Sequence, residues 1–93
     1  MTTDGAIVRI ASIRNQRGLH ARAAAKFVKV AGTYDAHIRV IKGDMDVSGT
    51  SIMGLMMLAA GIGTDIELRA SGRQSSEAMA ALLGLIERRF DEE

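Results

Sequence analysis

The chain of 93 residues contains no cysteine, no proline and no tryptophan. Without cysteine it can form neither a disulfide bond nor a thiolate metal site, a composition that suits a reducing compartment. Aromatic residues make up only 3% of the chain. Sheets that bind RNA stack bases on aromatic side chains, so the composition argues against a nucleic-acid-binding protein.

No part of the chain is apolar for long enough to cross a membrane. The longest uncharged run, residues 47–64, is interrupted by serine, threonine and glycine and lacks the roughly 20 apolar residues that a spanning helix needs. The first ten residues lack the basic, apolar and small-residue order of a secretory signal. We therefore expect a cytoplasmic protein without membrane insertion, folded as a single domain over residues 1–93.

Acidic residues are missing from much of the first third of the chain. Between Asp4 and Asp35 there is no acid, whereas six basic residues fall there: Arg9, Arg14, Arg17, Arg22, Lys26 and Lys29. The tail has the opposite charge, with Glu87, Asp91, Glu92 and Glu93. The first third therefore offers a positive surface to an acidic partner or an anion, although a solvated basic helix face would look the same in sequence.

Hydrophobic periodicity predicts two long amphipathic helices. Residues 21–31 carry one apolar face at the spacing i, i+3, i+4 and i+7, formed by Ala24, Phe27, Val28 and Ala31. We expect Gly32 to cap the end of this helix. Residues 75–89 carry a second stripe that extends to residue 90, formed by Met79, Leu82, Leu83, Ile86 and Phe90.

Four strands and a short third helix complete the predicted order β-α-β-β-α-β-α. The strands fall at residues 6–13, 36–41, 45–47 and 65–70, and the short helix at residues 51–58. Alternation in the second and fourth strands places one set of apolar residues inward: Ala36, Ile38, Val40, Ile66, Leu68 and Ala70. We expect an α+β fold, a two-layer open-faced β-sandwich in which a four-stranded, mostly antiparallel sheet carries three helices on one face.

One stretch, "RGLHARAA" at residues 17–24, places an ionisable ring at the start of the first helix. The first turn of a helix has free N–H groups and attracts anions. A neutral imidazole is a nucleophile, and the helix start and the nearby Arg17 and Arg22 favour the uncharged ring. A phosphoryl group placed on His20 would meet backbone donors and two guanidinium groups. The alternative is a histidine that serves only as a polar cap.

The motif "RGLHARAAAKFV" resembles the active-site signature of the HPr family, usually written GLHARPA, and "TSIMGLMML" resembles the family's second signature. The resemblance covers essentially the whole chain. It implies a phosphocarrier of the bacterial phosphotransferase system, with no cofactor and no metal, that is not an enzyme in the strict sense. His20 would accept a phosphoryl group at Nδ1 from phosphorylated enzyme I and pass it to an enzyme IIA domain. Arg22 would close on the phosphate, and Arg17 would add supporting charge.

The chain departs from the family pattern at Ala23, which stands where the family usually has proline. Proline suits a first helical turn because it has no N–H group and its φ is preset. We expect the carrier function to survive with altered lability of the phosphate. The residues do not distinguish a sugar-transport carrier from a nitrogen-related regulatory one, and a purely regulatory protein that acts by binding partners is a further alternative.

A serine opens the short helix, and serine is a good N-cap. The capping hydroxyl explains Ser51 without any regulation, whereas the family resemblance implies phosphorylation by the HPr kinase/phosphorylase. The helix is too short to bury all its apolar side chains, and methionine suits a surface that meets several partners. We expect a monomer that docks enzyme I and enzyme IIA domains through a surface of basic and apolar residues: Ala21, Arg22, Lys26, Lys29, Ile52, Met53 and Met56.

Two weaker signals are set aside. The stretch "DMDVSG" at residues 44–49 imitates the start of a calcium-binding loop, but the twelfth position is Leu55 where such a loop needs glutamate. His37 alternates outward on a predicted strand and has no second ligand nearby in the sequence. We therefore expect no calcium site, and we expect His37 to be an exposed strand residue.

Overall fold

The computed structural model describes residues 6–92, and within them seven helices and strands follow the predicted order β-α-β-β-α-β-α. Their bounds are β1 (Ile7–Ser12), α1 (Ala21–Thr33), β2 (His37–Lys42), β3 (Met45–Ser48), α2 (Ile52–Met57), β4 (Asp65–Ser71) and α3 (Ser75–Glu87). A short 3₁₀ turn at Arg89–Asp91 follows α3. The predictions that involve Asp4 and Glu93 lie outside the described residues.

The four strands of the described region form one antiparallel sheet in the order β1-β4-β2-β3. In β4 the inward residues Ile66, Leu68 and Ala70 are buried, whereas Arg69 on the other face is exposed. The open face also carries apolar side chains of β1, with Ile10 61% exposed. Helices cover the opposite face, so the predicted open-faced two-layer sandwich is confirmed.

The helical layer closes the core through the apolar faces that periodicity predicted. In α1 the side chains of Ala24, Phe27 and Ala31 are buried, and those of Arg22 and Lys29 are exposed. Full burial of a side chain such as Phe27 stabilises the fold by about 1.5–3 kcal/mol. The basic stripe of α1 therefore faces solvent, where a partner or an anion can reach it. No helix within residues 6–92 is long and apolar enough to span a membrane.

The predicted end of α1 is wrong by two residues. Gly32 lies inside the helix, which continues to Thr33, and Tyr34 takes the C-cap position with extended backbone, φ −108° and ψ 149°. A glycine cap is needed where the chain leaves a helix through the left-handed region. Here the chain leaves directly into extended structure toward β2, so that geometry is not required.

The predicted end of α3 is also wrong, and the reason affects the site. The helix ends at Glu87, and Arg89, Phe90 and Asp91 then adopt left-handed backbone with φ of 58°, 55° and 62°. Residues other than glycine adopt this conformation only at an energetic cost. Phe90 is fully buried, so burial of its ring offsets that cost. Phe90 is buried as predicted, but it lies in this left-handed turn after α3 and not in the helix itself.

Candidate functional site

The loop that leads to the first helix is fixed by close approach to the loop after α2. The N–H of Leu19 donates to the carbonyl of Ala60 at 2.9 Å, and the Leu19 side chain is buried. Gly18 has φ of +64°, and a Cβ at this position would lie 2.8 Å from the Cα of Gly61. Only glycine fits at position 18. Gly18 and Leu19 therefore hold the following residue, His20, in a defined position.

His20 is the N-cap of α1. Its backbone is extended, with φ −76° and ψ −179°, and its carbonyl accepts the first helical hydrogen bond from the N–H of Ala24 at 2.8 Å. Its side chain makes no capping hydrogen bond. The N–H groups of the first turn are therefore not taken up by the ring, and the positive end of the helix stays available to an anion.

The ring of His20 is held from its far side by the tail of the chain. Its Nε2 contacts Oε2 of Glu92, and the other carboxylate oxygen accepts a hydrogen bond from Nδ2 of Asn15 at 3.1 Å. Asn15 is buried and also donates to the carbonyl of Gly18 at 2.8 Å. Three side chains thus form a line from the core to the ring, which is 15% exposed.

This contact fixes the state of the carboxyl group. The hydrogen bond with His20 holds the pKa of Glu92 below its ordinary value; desolvation opposes the shift, while the Asn15 hydrogen bond and the charge of Arg17 support it. An ionised carboxylate only accepts hydrogen bonds, so Nε2 must carry the hydrogen. Within residues 6–92, the protein hydrogen bond of the ring uses Nε2 and leaves Nδ1 without a partner.

Arg17 and Arg22 both line a cleft of about 460 Å³ beside the contact between His20 and Glu92. The lining residues are Gln16, Arg17, Arg22, Lys26, Asp91 and Glu92. Arg17 and Arg22 are exposed, so their guanidinium groups are available to a ligand. Lys26 is engaged differently, because its Nζ donates to the carbonyl of Phe90 at 2.7 Å and so ties α1 to the tail.

At the start of α2 a side chain accepts a hydrogen bond from a first-turn N–H group, whereas at the start of α1 the N-cap side chain does not. The hydroxyl of Ser51 accepts a hydrogen bond from the N–H of Gly54 at 2.9 Å, so the predicted cap of α2 is confirmed. The neighbouring hydroxyls of Ser48 and Thr50 bond to each other. Among the predicted docking residues, Ala21 and Lys29 are exposed on α1, and three apolar side chains are exposed on α2: Ile52, Met53 and Met56.

The fold and the motif agree with what is known of other proteins. A family model described as the PTS HPr component phosphorylation site matches residues 7–88. The chain belongs to the HPr family. It is 55% identical over 82 residues to the phosphocarrier protein HPr of Pseudomonas aeruginosa, covering 87% of this chain and 91% of that one. The family resemblance and the role as a phosphotransferase-system phosphocarrier are therefore confirmed at the level of the family.

Two further relatives bear on the fold and on the branch of the family. The crystal structure of HPr-C-His from Thermoanaerobacter tengcongensis superposes with a TM-score of 0.89 at 41% identity, covering 94% of this chain and 98% of that one. The phosphocarrier protein NPr of Shewanella violacea is 40% identical over 81 residues, covering 87% and 89% of the two chains.

Sequence reasoning missed Asn15 and Glu92, and one available signal pointed to the second of them. The acid-free, basic first third and the acidic tail have opposite charge, and opposite charges within one small domain attract each other. Nothing in the spacing indicated Asn15, because its contacts are made 3 and 77 residues away along the chain. Within residues 6–92, no three histidine or carboxylate side chains cluster in a way that would hold a metal ion.

Proposed function

We propose that this protein carries a phosphoryl group on Nδ1 of His20, accepted from phosphorylated enzyme I and passed to an enzyme IIA domain. One observation carries the proposal: the ring stands at the open N-terminus of α1, with Nε2 held by Glu92 and with no hydrogen-bond partner for Nδ1 among residues 6–92. The chain acts as a single carrier domain, which receives the phosphoryl group from one protein and passes it on to another.

The surroundings of the ring suit a group that must be held and then released. The transferred phosphoryl group brings negative charge to the start of α1, where backbone N–H groups point outward. Arg22 clamps the phosphoryl oxygens from the first turn of the helix, and Arg17 supports it from the adjoining cleft. Guanidinium groups bind phosphate in fork geometry, yet both side chains are exposed, so solvent weakens the hold and permits onward transfer.

The test is phosphorylation in solution with phosphoenolpyruvate and enzyme I, followed by intact-mass measurement. The wild-type chain should gain one acid-labile phosphoryl group, and His20→Ala should gain none. His37→Ala is the matched control, because His37 is the other histidine and is exposed on β2. Equal labelling of the His20→Ala variant would refute the assignment of the acceptor.

Partner docking is assigned to a surface that joins a basic and an apolar half. The basic half is formed by Arg22, Lys26 and Lys29 of α1, with Ala21 at its edge, and the apolar half by Ile52, Met53 and Met56 of α2. The helices α1 and α2 pack against each other, which supports a continuous surface. Exposed apolar side chains surrounded by charge are typical of protein interaction sites.

Ser51 is the regulatory site of this proposal. A phosphate on its hydroxyl retains an oxygen that can accept the Gly54 N–H, so α2 tolerates the modification. The helix Ile52–Met57 contains no charged residue, and the added charge of about −1.5 to −2 would lie beside the apolar half of the docking surface. Modification by the HPr kinase/phosphorylase would then weaken docking of an acidic or apolar partner.

A nitrogen-regulatory carrier is the second candidate, supported by the similarity to the NPr protein of Shewanella violacea. The chemistry at His20 would be the same, and the partners would differ. Initial rates of phosphorylation by enzyme I of the sugar branch and by its nitrogen-branch counterpart separate the two. A rate at least tenfold higher with the nitrogen-branch donor would favour the second candidate.

A further inference from the structure

The acidic tail reaches the proposed acceptor and touches it at the nitrogen that is not phosphorylated. The carboxylate of Glu92 spans two side chains, with Oε2 on Nε2 of His20 and Oε1 on Nδ2 of Asn15. Asn15 is 2% exposed, so the anchor of the carboxylate is part of the core. A carboxylate held on both oxygens has a defined direction toward the ring.

The tail is placed by several independent contacts. Phe90 is fully buried, and its carbonyl accepts a hydrogen bond from Nζ of Lys26 at 2.7 Å. The N–H of Glu92 donates to the carbonyl of Arg89 at 3.0 Å, which closes the left-handed turn. Three successive non-glycine residues in this conformation persist only where the surroundings impose it. The turn therefore directs the chain back to the start of α1.

The contact has a consequence for the ring. A neutral imidazole carries its hydrogen on one nitrogen and a lone pair on the other. The ionised Glu92 can only accept, which places the hydrogen on Nε2 and the lone pair on Nδ1. We propose that Glu92, held by Asn15, is a positioning residue that selects Nδ1 of His20 as the phosphoryl acceptor. This inference rests on the proposed carrier function of His20.

The transfer step needs no proton movement in this arrangement. The Nδ1 lone pair forms a bond to phosphorus, and the bond between phosphorus and the donor atom breaks, with its electron pair returning to the donor. Nε2 keeps its hydrogen throughout, and the ring gains positive charge as the phosphoryl group arrives. The Glu92 carboxylate lies beside that developing charge and stabilises it, as the buried aspartate does for the imidazolium ring in Ser-His-Asp acyl-transfer sites.

The first measurement is the tautomer of His20, read from ¹⁵N chemical shifts and long-range couplings at about pH 8.5, where a free imidazole is uncharged. In the wild-type chain the Nε2–H form should predominate. Glu92→Gln should shift the ring toward a mixture, because an amide can either donate or accept. Glu87→Gln is the matched control: Glu87 is an exposed acid near the end of α3, and its variant should keep the wild-type tautomer.

The second measurement is the initial rate of phosphorylation by phosphoenolpyruvate and enzyme I. Loss of a carboxylate that orients a metal-binding histidine lowers metal affinity or activity by about 10–100-fold. By analogy we expect at least a tenfold decrease in Glu92→Gln and wild-type rates in Glu87→Gln. Glu92→Ala, which removes both charge and acceptor, should lower the rate at least as far.

The outcomes separate this inference from the carrier function. An Nδ1–H tautomer in the wild-type chain would overturn the role of Glu92, as would a Glu92→Gln variant with unchanged tautomer and rate, even if His20 is phosphorylated normally. A chain that gains no phosphoryl group at all would refute the carrier function, while the tautomer measurement would still report whether Glu92 directs the ring.

Discussion

The helix starts at His20 and Ser51 show opposite uses of the same position. Ser51 closes its helix, because its hydroxyl accepts the N–H of Gly54 at 2.9 Å. His20 leaves its helix open, because its side chain makes no capping hydrogen bond and is turned to Glu92 instead. A closed cap stabilises the helix, whereas an open one leaves backbone donors for an incoming anion.

The surroundings of the two starts differ as much as the caps do. The cleft beside His20 is lined by Arg17 and Arg22, so negative charge arriving there meets cations. Met53, directly after the start of α2, is 70% exposed, so negative charge at Ser51 meets an apolar surface. Arginine side chains of the protein itself would therefore compensate the charge of a phosphate on His20. A phosphate on Ser51 would instead change the surface that a partner contacts.

The largest expected effect tests whether the site at His20 depends on the placement of the tail, residues 90–92. Phe90→Ala removes a fully buried ring, and truncation of a buried phenylalanine costs about 3–5 kcal/mol. Urea unfolding should show this loss, and the phosphorylation rate should fall as Glu92 leaves the ring. Ile62→Ala is the control, because Ile62 is 60% exposed and should change stability by less than about 0.5 kcal/mol. A loss below about 1 kcal/mol for Phe90→Ala would contradict the tail anchor.

A smaller effect tests how much the N-cap formed by Ser51 contributes to the stability of the protein. Ser51→Ala should destabilise the protein by about 1 kcal/mol, because the N–H of Gly54 loses its acceptor. Ser51→Asp should stay within about 0.5 kcal/mol of the wild type, since a carboxylate also caps and suits the helix dipole. Thermal unfolding measures both, with the exposed Ser76→Ala as control. Equal stability of Ser51→Ala and Ser76→Ala would show that the cap contributes nothing.

The third effect addresses the basic half of the docking surface. Lys29→Glu should slow association with enzyme I by about three- to tenfold at low salt, and the difference should fade near 1 M salt, where charges are screened. Stopped-flow association measures the rate. Lys42→Glu, which reverses a charge at the end of β2 on a residue outside the docking surface defined above, should have little effect. An unchanged rate and unchanged salt dependence in Lys29→Glu would remove Lys29 from the surface.

The smallest effect is the dependence of stability on pH. The pKa of Glu92 is lowered in the folded chain from 4.5, so its carboxylate contributes stability that is complete above the unfolded value and is lost as the pH falls through the lower folded value. The advantage of the wild type over Glu92→Gln should be a few tenths of a kcal/mol near neutral pH and should shrink as the pH falls below 4.5.

Urea titrations at several pH values measure this difference, with Glu87→Gln as the charge-matched control. The Glu87→Gln difference should show no comparable loss across the same acidic range, because Glu87 has no side-chain hydrogen bond within residues 6–92. If the Glu92→Gln difference grew as the pH fell, the sign of the Glu92 contribution would be wrong.

The comparison of the two caps also shows how far sequence reasoning reached. Periodicity located α1 and the buried faces of β2 and β4, because a repeat of 3.6 or 2 residues reports burial directly. The place at a helix start together with the family motif singled out His20, and cap chemistry predicted Ser51 as the N-cap of α2. Sequence reasoning did not predict that Gly32 lies inside α1 or that α3 ends at Glu87. The end of a helix depends on the direction that the chain takes after it.

What the sequence determined by itself was the set of parts: the order of strands and helices, their inward faces, and an ionisable ring at a helix start. These follow from local periodicity and cap chemistry, which act over a few residues. Only the tertiary structure decided what stands behind the ring. Asn15, His20 and Glu92 meet because burial of Phe90 draws the tail back across the fold, and a contact between residues more than seventy positions apart leaves no periodic trace in the chain.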